Sequence, residues 1–241
     1  METPTYIALS RQTGMVRDMN VLANNIANAS TNGYRGESMM FQEYLARTGT
    51  LGLRDKISFV QDVGTFRNIK DGPLVQTNNE LDLALQGQGY MVIGNPAGDQ
   101  YARTGMFHLD ANRQVVTAEG YPLLQENGRP INIPLGAQKI VVSGDGVMST
   151  EQGEIGRIRL VRFGSDQAMR AGNDGLYTTD QAPLPATETR VTQGALEGSN
   201  VQPVLEMTRM IQMSRDYASV QSMLDGENTR QHDAFARIAK A

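Results

Sequence analysis

The sequence predicts an α+β protein. N- and C-terminal helices pair as a coiled-coil-like layer, and a mostly antiparallel β domain is inserted between them. Three observations carry that expectation. Apolar residues recur every three or four positions at both ends of the chain. The middle holds nearly all the glycines and prolines, with short β-prone runs between turn signals. The last amphipathic segment has an apolar face wider than one partner helix needs.

The first helix is expected from about Tyr6 to Asn32. Met15, Met19, Leu22 and Ile26 follow one another at helical spacing, and Val16 and Ala23 lie beside that stripe. The pattern stops at Ser30-Thr31-Asn32-Gly33, where Gly33 suits a left-handed position beyond a helix end.

The middle, roughly 36–198, contains "LDLALQGQGYMVIG", "GMFHLDANRQVVTAEGYPLL", "QKIVVSGDGVMST" and "GRIRLVRFG". Asp110-Ala111-Asn112, Asn127-Gly128 and Asp145-Gly146 are plausible turns, and "TTDQAPLPATE" (Thr178 to Glu188) reads as loop.

The last helix is expected from about Pro203 to Ile238. Pro203 fits a first turn, and Ser199 or Asn200 could cap it. Met207, Ile211, Ser214, Ala218 and Gln221 form one row. Met210, Met213, Tyr217, Val220 and Leu224 form a second, continued by Gln231, Phe235 and Ile238. About 25 helical residues span roughly 38 Å and about 35 span roughly 52 Å. A helical pair of that length with surplus apolar face is an unfinished core, and copies of the same chain are the expected cover. The expected domains are 1–33 (N-terminal helix), 34–80 (linker or intermediate region), 81–198 (β-rich domain) and 199–241 (C-terminal helix).

Composition narrows the function. The formal charge of −4 and the absence of a basic cluster argue against nucleic acid as the main partner. Basic residues are mostly arginine, with lysine only at Lys56, Lys70, Lys139 and Lys240. There is no cysteine, which excludes disulfides, thiolate metal sites and a cysteine nucleophile. "METPTYIALSRQ" has neither a basic stretch nor a long apolar stretch, so no ordinary secretory signal is expected. No apolar run reaches the roughly 18 residues of a membrane span, so direct membrane insertion is not expected.

The search for chemistry returns little. His108 and His232 are the two histidines, and neither has further ligands at metal-site spacing. Gly87-Gln88-Gly89 is a bare G-x-G with Val92 where a dinucleotide loop needs glycine. "DANRQVVTAEGY" starts like a calcium loop, then has Val115 in place of its glycine and Tyr121 in place of its glutamate. Asn28-Ala29-Ser30 matches a glycosylation sequon, a weak three-residue pattern. No nucleophile elbow is present. No enzyme activity, cofactor or metal is expected.

Asparagine is a poor helix-interior residue, because its amide competes for nearby backbone groups. Yet Asn20, Asn24 and Asn28 form one helical row, and Asn25, Asn28 and Asn32 another. Two readings stand. Asn28 and Asn32 end the helix and the others are incidental, or the amides pair laterally between packed helices and fix their register. Six methionines (Met15, Met19, Met207, Met210, Met213 and Met223) lie in the two helices, where they fill a core or adapt to unlike neighbours.

"LANNIANASTNGYR" (Leu22 to Arg35), "LDLALQGQGYMVI", "YARTGMFHLDANRQVVTAEGYPLL" and "GALEGSNVQPVLEMTRMIQMSRDYASVQSML" (Gly194 to Leu224) together resemble the flagellar rod and hook proteins of bacteria. The segments cover both ends and much of the middle, in the family's order. "LEGSNVQPVLEMTRMI", "NDGLY" and the short length resemble the proximal-rod type, with the distal rod protein as runner-up. The region from Glu37 to Asp71 matches neither type.

The resemblance implies a structural subunit that assembles helically into the hollow drive shaft of the basal body, around an export channel. It implies partners: copies of the chain, the other proximal rod subunits, the distal rod protein, and the flagellar type III export apparatus during secretion. It implies location in the periplasmic rod without a cleaved signal peptide. The residues expected at the assembly interface are Met15, Met19, Leu22, Asn24, Asn25, Ile26, Asn28, Gly33, Tyr34, Met207, Met210, Ile211, Met213, Tyr217, Val220 and Leu224. Gly33 should release the chain into the outer domain with Tyr34 as an anchor, and Gly33→Val should damage assembly more than the β domain. A different class, a secreted β-rich binding module with a helical stalk, predicts a discrete oligomer and a ligand site in the β domain.

Overall fold

A computed structural model describes residues 3–47, 56–172 and 175–238. Helix α1 spans Thr3–Ala27, followed by strands β1 (Glu37–Arg47) and β2 (Lys56–Arg67). Then come β3 (Leu74–Gln76), β4 (Asp82–Gln86), β5 (Tyr90–Ile93), β6 (Gln100–Ala102) and β7 (Thr104–Met106). Next are β8 (His108–Leu109), β9 (Val115–Val116), β10 (Ile140–Val142), β11 (Val147–Thr150) and β12 (Gly153–Arg157). They are followed by β13 (Leu160–Arg162), β14 (Arg170–Ala171), β15 (Tyr177–Thr178) and β16 (Leu184–Pro185). The last strands are β17 (Arg190–Gln193) and β18 (Ala195–Glu197), and helix α2 spans Pro203–Ile238.

Two helices therefore flank a β region, and every strand pairing among the described residues is antiparallel. The chain divides into two compact units. A helix–hairpin unit comprises Met1–Ala29, Gly36–Asn68 and Val201–Ala241, and a β unit comprises Ser30–Arg35 and Ile69–Asn200.

In the β unit, six strands run in the order β14-β15-β6-β5-β13-β16, and three run β17-β4-β7. Another three run β10-β11-β12, with two-stranded pairs β18-β3 and β8-β9. Strand β5 reads Tyr-Met-Val-Ile without alternation because all four side chains are buried. Leu83, Met91, Ile93, Val115, Leu123, Ile131, Met148 and Ile158 form the main core, each within 1 % of complete burial. Tyr90, Tyr101, Phe163 and Tyr177 form a second, aromatic cluster with Val92 and Val161. There Tyr101 meets Phe163 edge-on with ring centroids 4.7 Å apart.

The turn residues act as their chemistry dictates. The Asp110 carboxylate accepts from the amides of Asn112 and Gln114. Gly128 and Gly146 each take positive φ and close a turn onto Gln125 and Ser143. The stretch 178–188 is loop except for Thr178, which ends β15, and for β16, whose Pro185 lies on a sheet edge, the position a residue without an N–H tolerates.

The end of the first helix and the role of Gly33 differ from expectation. Helix α1 ends at Ala27, where the Asn28 side chain bonds the backbone and side-chain oxygens of Asn24 and competes with helix continuation. Gly33 has φ of +70°, but several residues past that end, so it serves the loop rather than the helix terminus. Helix α2 spans Pro203–Ile238 as expected, with the Gln202 carbonyl accepting from Glu206, and Asn200 Nδ2 donates to the Lys70 carbonyl.

Residues 34–80, expected as a linker or intermediate region, hold the β1–β2 hairpin of the helix–hairpin unit. Its register shifts between Met40 and Phe41, a bulge that breaks the two-residue period.

Candidate assembly interface

Within the helix–hairpin unit α1 packs against α2, β1 and β2. The buried side of α1 carries Ala8, Gln12, Met15, Leu22 and Asn25, with Met19 and Ile26 half-buried. These positions alternate by three and four, the seam spacing of paired helices. On α2 the half-buried side chains include those of the second apolar row, Met210, Met213, Tyr217, Val220 and Leu224, beside Asp216, Glu227 and Gln231.

Two polar contacts fix how these helices run. Gln12 Nε2 donates to Gln221 Oε1 at 2.7 Å, and Asn25 Nδ2 donates to Glu206 Oε2 at 3.1 Å. The early part of α1 thus meets the later part of α2, so the pair is antiparallel. Interpolated between the two contacts, Met19 falls level with Met213.

Asn25 answers one of the two asparagine readings in part. Its amide also brackets residue 37 at the start of β1. Nδ2 donates to the Glu37 carbonyl at 2.8 Å, and Oδ1 accepts from the Glu37 amide at 2.9 Å. One side chain with both a donor and an acceptor ties α1, β1 and α2 together. Asn25 is 3 % exposed, Asn28 is half-buried and Asn24 is exposed.

A cleft of about 340 Å³ beside this node is lined by Asp18, Leu22, Glu37, Glu206, Arg209 and Asp216, among others. Burial pushes the Asp18 carboxyl above its ordinary value, and the nearby Glu206 carboxylate pushes it further. Arg209, paired with Glu206 at 3.0 Å, offsets part of that rise.

The other side of α2 is bare. Among its described side chains only Glu206 is buried. Met207 is 48 % exposed, Ile211 55 % and Val204 75 %. Phe235, Ile238, Leu205 and Met223 are also exposed, as are Leu9 and Val16 on α1. Met207 and Ile211, at the start of the first apolar row of α2, therefore present an apolar face that stays exposed among the described residues.

Gly33 and Tyr34 lie apart from this, in the β unit. The Gly33 amide donates to the Glu197 carbonyl at 2.7 Å, and a Cβ there would sit 2.7 Å from the Thr104 methyl. The Tyr34 carbonyl accepts from the Asn200 amide at 3.3 Å. Gly33→Val is therefore expected to strain the β unit as well, beside the expected damage to assembly.

Sequence reasoning passed over Gln12, Asp18 and Glu206. Gln12 was findable, because it continues the Met15, Met19, Leu22 row at the same spacing. Glu206 and Asp18 had no local signal, since their importance comes from elements far away in the chain. His108 and His232 are exposed on β8 and α2. Among the described residues no cluster of three His, Asp or Glu could hold a metal ion, and no helix is long and apolar enough to cross a membrane.

Three family profiles match the chain in order. Residues 6–35 match "Flagella basal body rod protein". Residues 84–150 match "Flagellar hook protein FlgE/F/G D1 domain", and residues 192–231 match "Flagellar basal body rod FlgEFG protein C-terminal". The chain is 37% identical to the flagellar basal-body rod protein FlgF of Caulobacter vibrioides, over 100% of this chain and 99% of that protein. It is 32% identical to FlgF of Mesorhizobium japonicum, over 93% of this chain and 92% of the relative. To the flagellar basal-body rod protein FlgG of Bacillus subtilis it is 30% identical, over 89% and 90%.

Proposed function

The chain belongs to the flagellar basal-body rod protein family, and from that premise we propose that it is a proximal rod subunit of the hollow drive shaft. As a rod protein of the basal body it is a structural subunit rather than an enzyme. Proximal placement is favoured by the FlgF of Caulobacter vibrioides, which aligns over the whole length. The distal position is the second reading, because FlgG proteins align at 29–33% identity over 83–89% of the chain.

The observation that carries the assembly proposal is the bare apolar face of α2. In the proposed rod, Met207, Ile211 and Val204 are covered by helices of neighbouring copies and of other rod subunits, and α1 and α2 form a coiled-coil-like inner layer. Met15, Met19, Leu22, Ile26 and the Met210 to Leu224 row hold that layer together, with Asn24 and Asn28 on its outward side. Burying a large apolar side chain contributes about 1.5–3 kcal/mol, so a handful per subunit drives association. Export through the flagellar type III apparatus without a cleaved signal, and function in the periplasmic space, complete the proposal.

A strain lacking the chain tests it. Wild-type chain is expected to restore motility and completed rods, and Met207→Asp with Ile211→Asp is expected to restore neither. A crosslinker placed at Met207 is expected to capture copies of the chain and other rod proteins. Capture of nothing beyond one discrete oligomer would favour the secreted binding module and overturn the rod proposal.

A further inference from the structure

The β unit contains an ionic cluster that assembly does not explain, built on the buried Arg103–Glu197 pair with the partly exposed Asp71 as a bridge. Arg103 and Glu197 side chains are each 1 % exposed, and Arg103 Nε donates to Glu197 Oε2 at 2.7 Å. Arg103 Nη2 donates to Asp71 Oδ1 at 2.6 Å, and the same oxygen accepts from Arg35 Nη2 at 3.0 Å. Arg35, 3 % exposed, also stands 3.8 Å from both Glu197 and Asp166. The rest of the Arg103 fork is spent on the Gly89 and Leu85 carbonyls.

These residues come from particular places. The chain passes between its two compact units four times, after Ala29, Arg35, Asn68 and Asn200. Arg35, Asp71 and Glu197 each lie within a few residues of such a passage. Backbone bonds stitch the same segments together. Gly33 donates to Glu197, Gly198 donates to the Pro73 carbonyl at 2.8 Å, and Asn200 donates to Tyr34. Glu197 Oε1 accepts from the Gly72 amide at 3.0 Å, and Asn200 Nδ2 donates to the Lys70 carbonyl at 2.8 Å. Strands β3 and β18 pair alongside. Gly72 is required here, because a side chain would run into the Gly198 backbone.

We propose that this cluster is a mechanical clasp: it ties residues 30–35, 69–73 and 195–200 to one another, so that tension arriving along the chain is held there and does not reach the core sheets. A buried ion pair suits that task. Pulling its members apart leaves an unpaired charge in a low-dielectric interior, so separation resists steeply. An apolar contact would give way gradually. The proposal concerns the β unit alone and does not need the rod reading.

Forced unfolding of single full-length molecules tests it. The chain has no cysteine, so pairs can be introduced as handles. Ser30→Cys with Val201→Cys loads the clasp, and Ala97→Cys with Ala182→Cys loads the β unit elsewhere. At fixed force, Glu197→Gln is expected to speed unfolding about tenfold or more in the first geometry and at least about fivefold less in the second. Equal acceleration in both geometries would reduce the cluster to ordinary core stability and overturn the proposal, as would no acceleration in the first. Should Glu197→Gln fail to fold, Arg35→Lys, which keeps the charge and loses the fork, is read by the same ratio.

Discussion

The β unit and the helix–hairpin unit solve the same problem differently. The β unit buries Leu83, Met91, Ile93, Leu123 and Ile158 almost completely and closes even Arg103 and Glu197 into a buried ion pair. In the other unit the 36-residue α2 buries, among its described side chains, only Glu206, and presents Met207, Ile211 and Phe235 to solvent. Both described clusters of buried apolar side chains lie in the β unit. Most helical stability comes from packing an amphipathic face, so a helix that leaves its face bare has deferred that stability to a later partner. In the proposed rod subunit one half is finished and the other waits for its neighbours.

That contrast can be broken by core and surface substitutions. Met91→Ala is expected to cost about 2–5 kcal/mol in denaturant unfolding, because it empties a fully buried site. Met207→Asp is expected to stay within about 0.5 kcal/mol in the monomer while abolishing motility. Comparable losses of monomer stability from the two would mean that the units are equally complete.

Gly33→Val is the next largest effect. Positive φ costs a β-branched residue about 1–3 kcal/mol, and the Thr104 methyl adds overpacking of similar size. Thermal unfolding of the β unit should register it; an unchanged transition would show that the loop around Gly33 relaxes freely.

The two neighbouring asparagines sharpen the contrast inside the helix–hairpin unit. Asn25→Asp removes the donor to Glu37 and sets a carboxylate against Glu206, an expected loss of about 1–3 kcal/mol. Asn24→Asp, on the exposed side, is expected to be nearly silent in the monomer, and any effect on motility then reports packing between subunits. Equal effects on monomer helicity would dissolve the distinction between the inward and outward amides.

The smallest effect is electrostatic. The folded Asp18 carboxyl titrates above its ordinary 3.8, through burial first and Glu206 second. The folded state thus holds its proton to higher pH than the unfolded chain does. Stability of the helical pair is greatest below the ordinary value and falls as pH rises from there through the raised one. Asp18→Asn is expected to slow hydrogen exchange in α1 slightly at neutral pH and to change nothing at strongly acid pH. Faster exchange at neutral pH in that variant would mean that the carboxylate is stabilising.

The helices were legible in the sequence because their period persists over many turns: Met15, Met19, Leu22 and Ile26 mark one inner face and Met210 to Leu224 the other. Asn127-Gly128 and Asp145-Gly146 were legible because their glycines take positive φ. The β1–β2 hairpin was not, since the bulge after Met40 breaks the alternation that marks a strand. Sheet order was hidden for another reason: β4 pairs with β17 and Arg103 with Glu197, partners about a hundred residues away that no local pattern encodes. Asn25 fell in one row with Asn28 and Asn32, because helical spacing gives rows without saying which member faces inward. Only Glu37 and Glu206 decide that.

The most direct test of the account is hydrogen exchange on dilute full-length monomer and on assembled rods, compared segment by segment. The account expects residues 203–238 to exchange rapidly in the monomer and become protected in the rod, with β5 and β13 slow in both. Protection of 203–238 in the dilute monomer equal to that in the rod would contradict it, because the helical unit would then be complete without its neighbours.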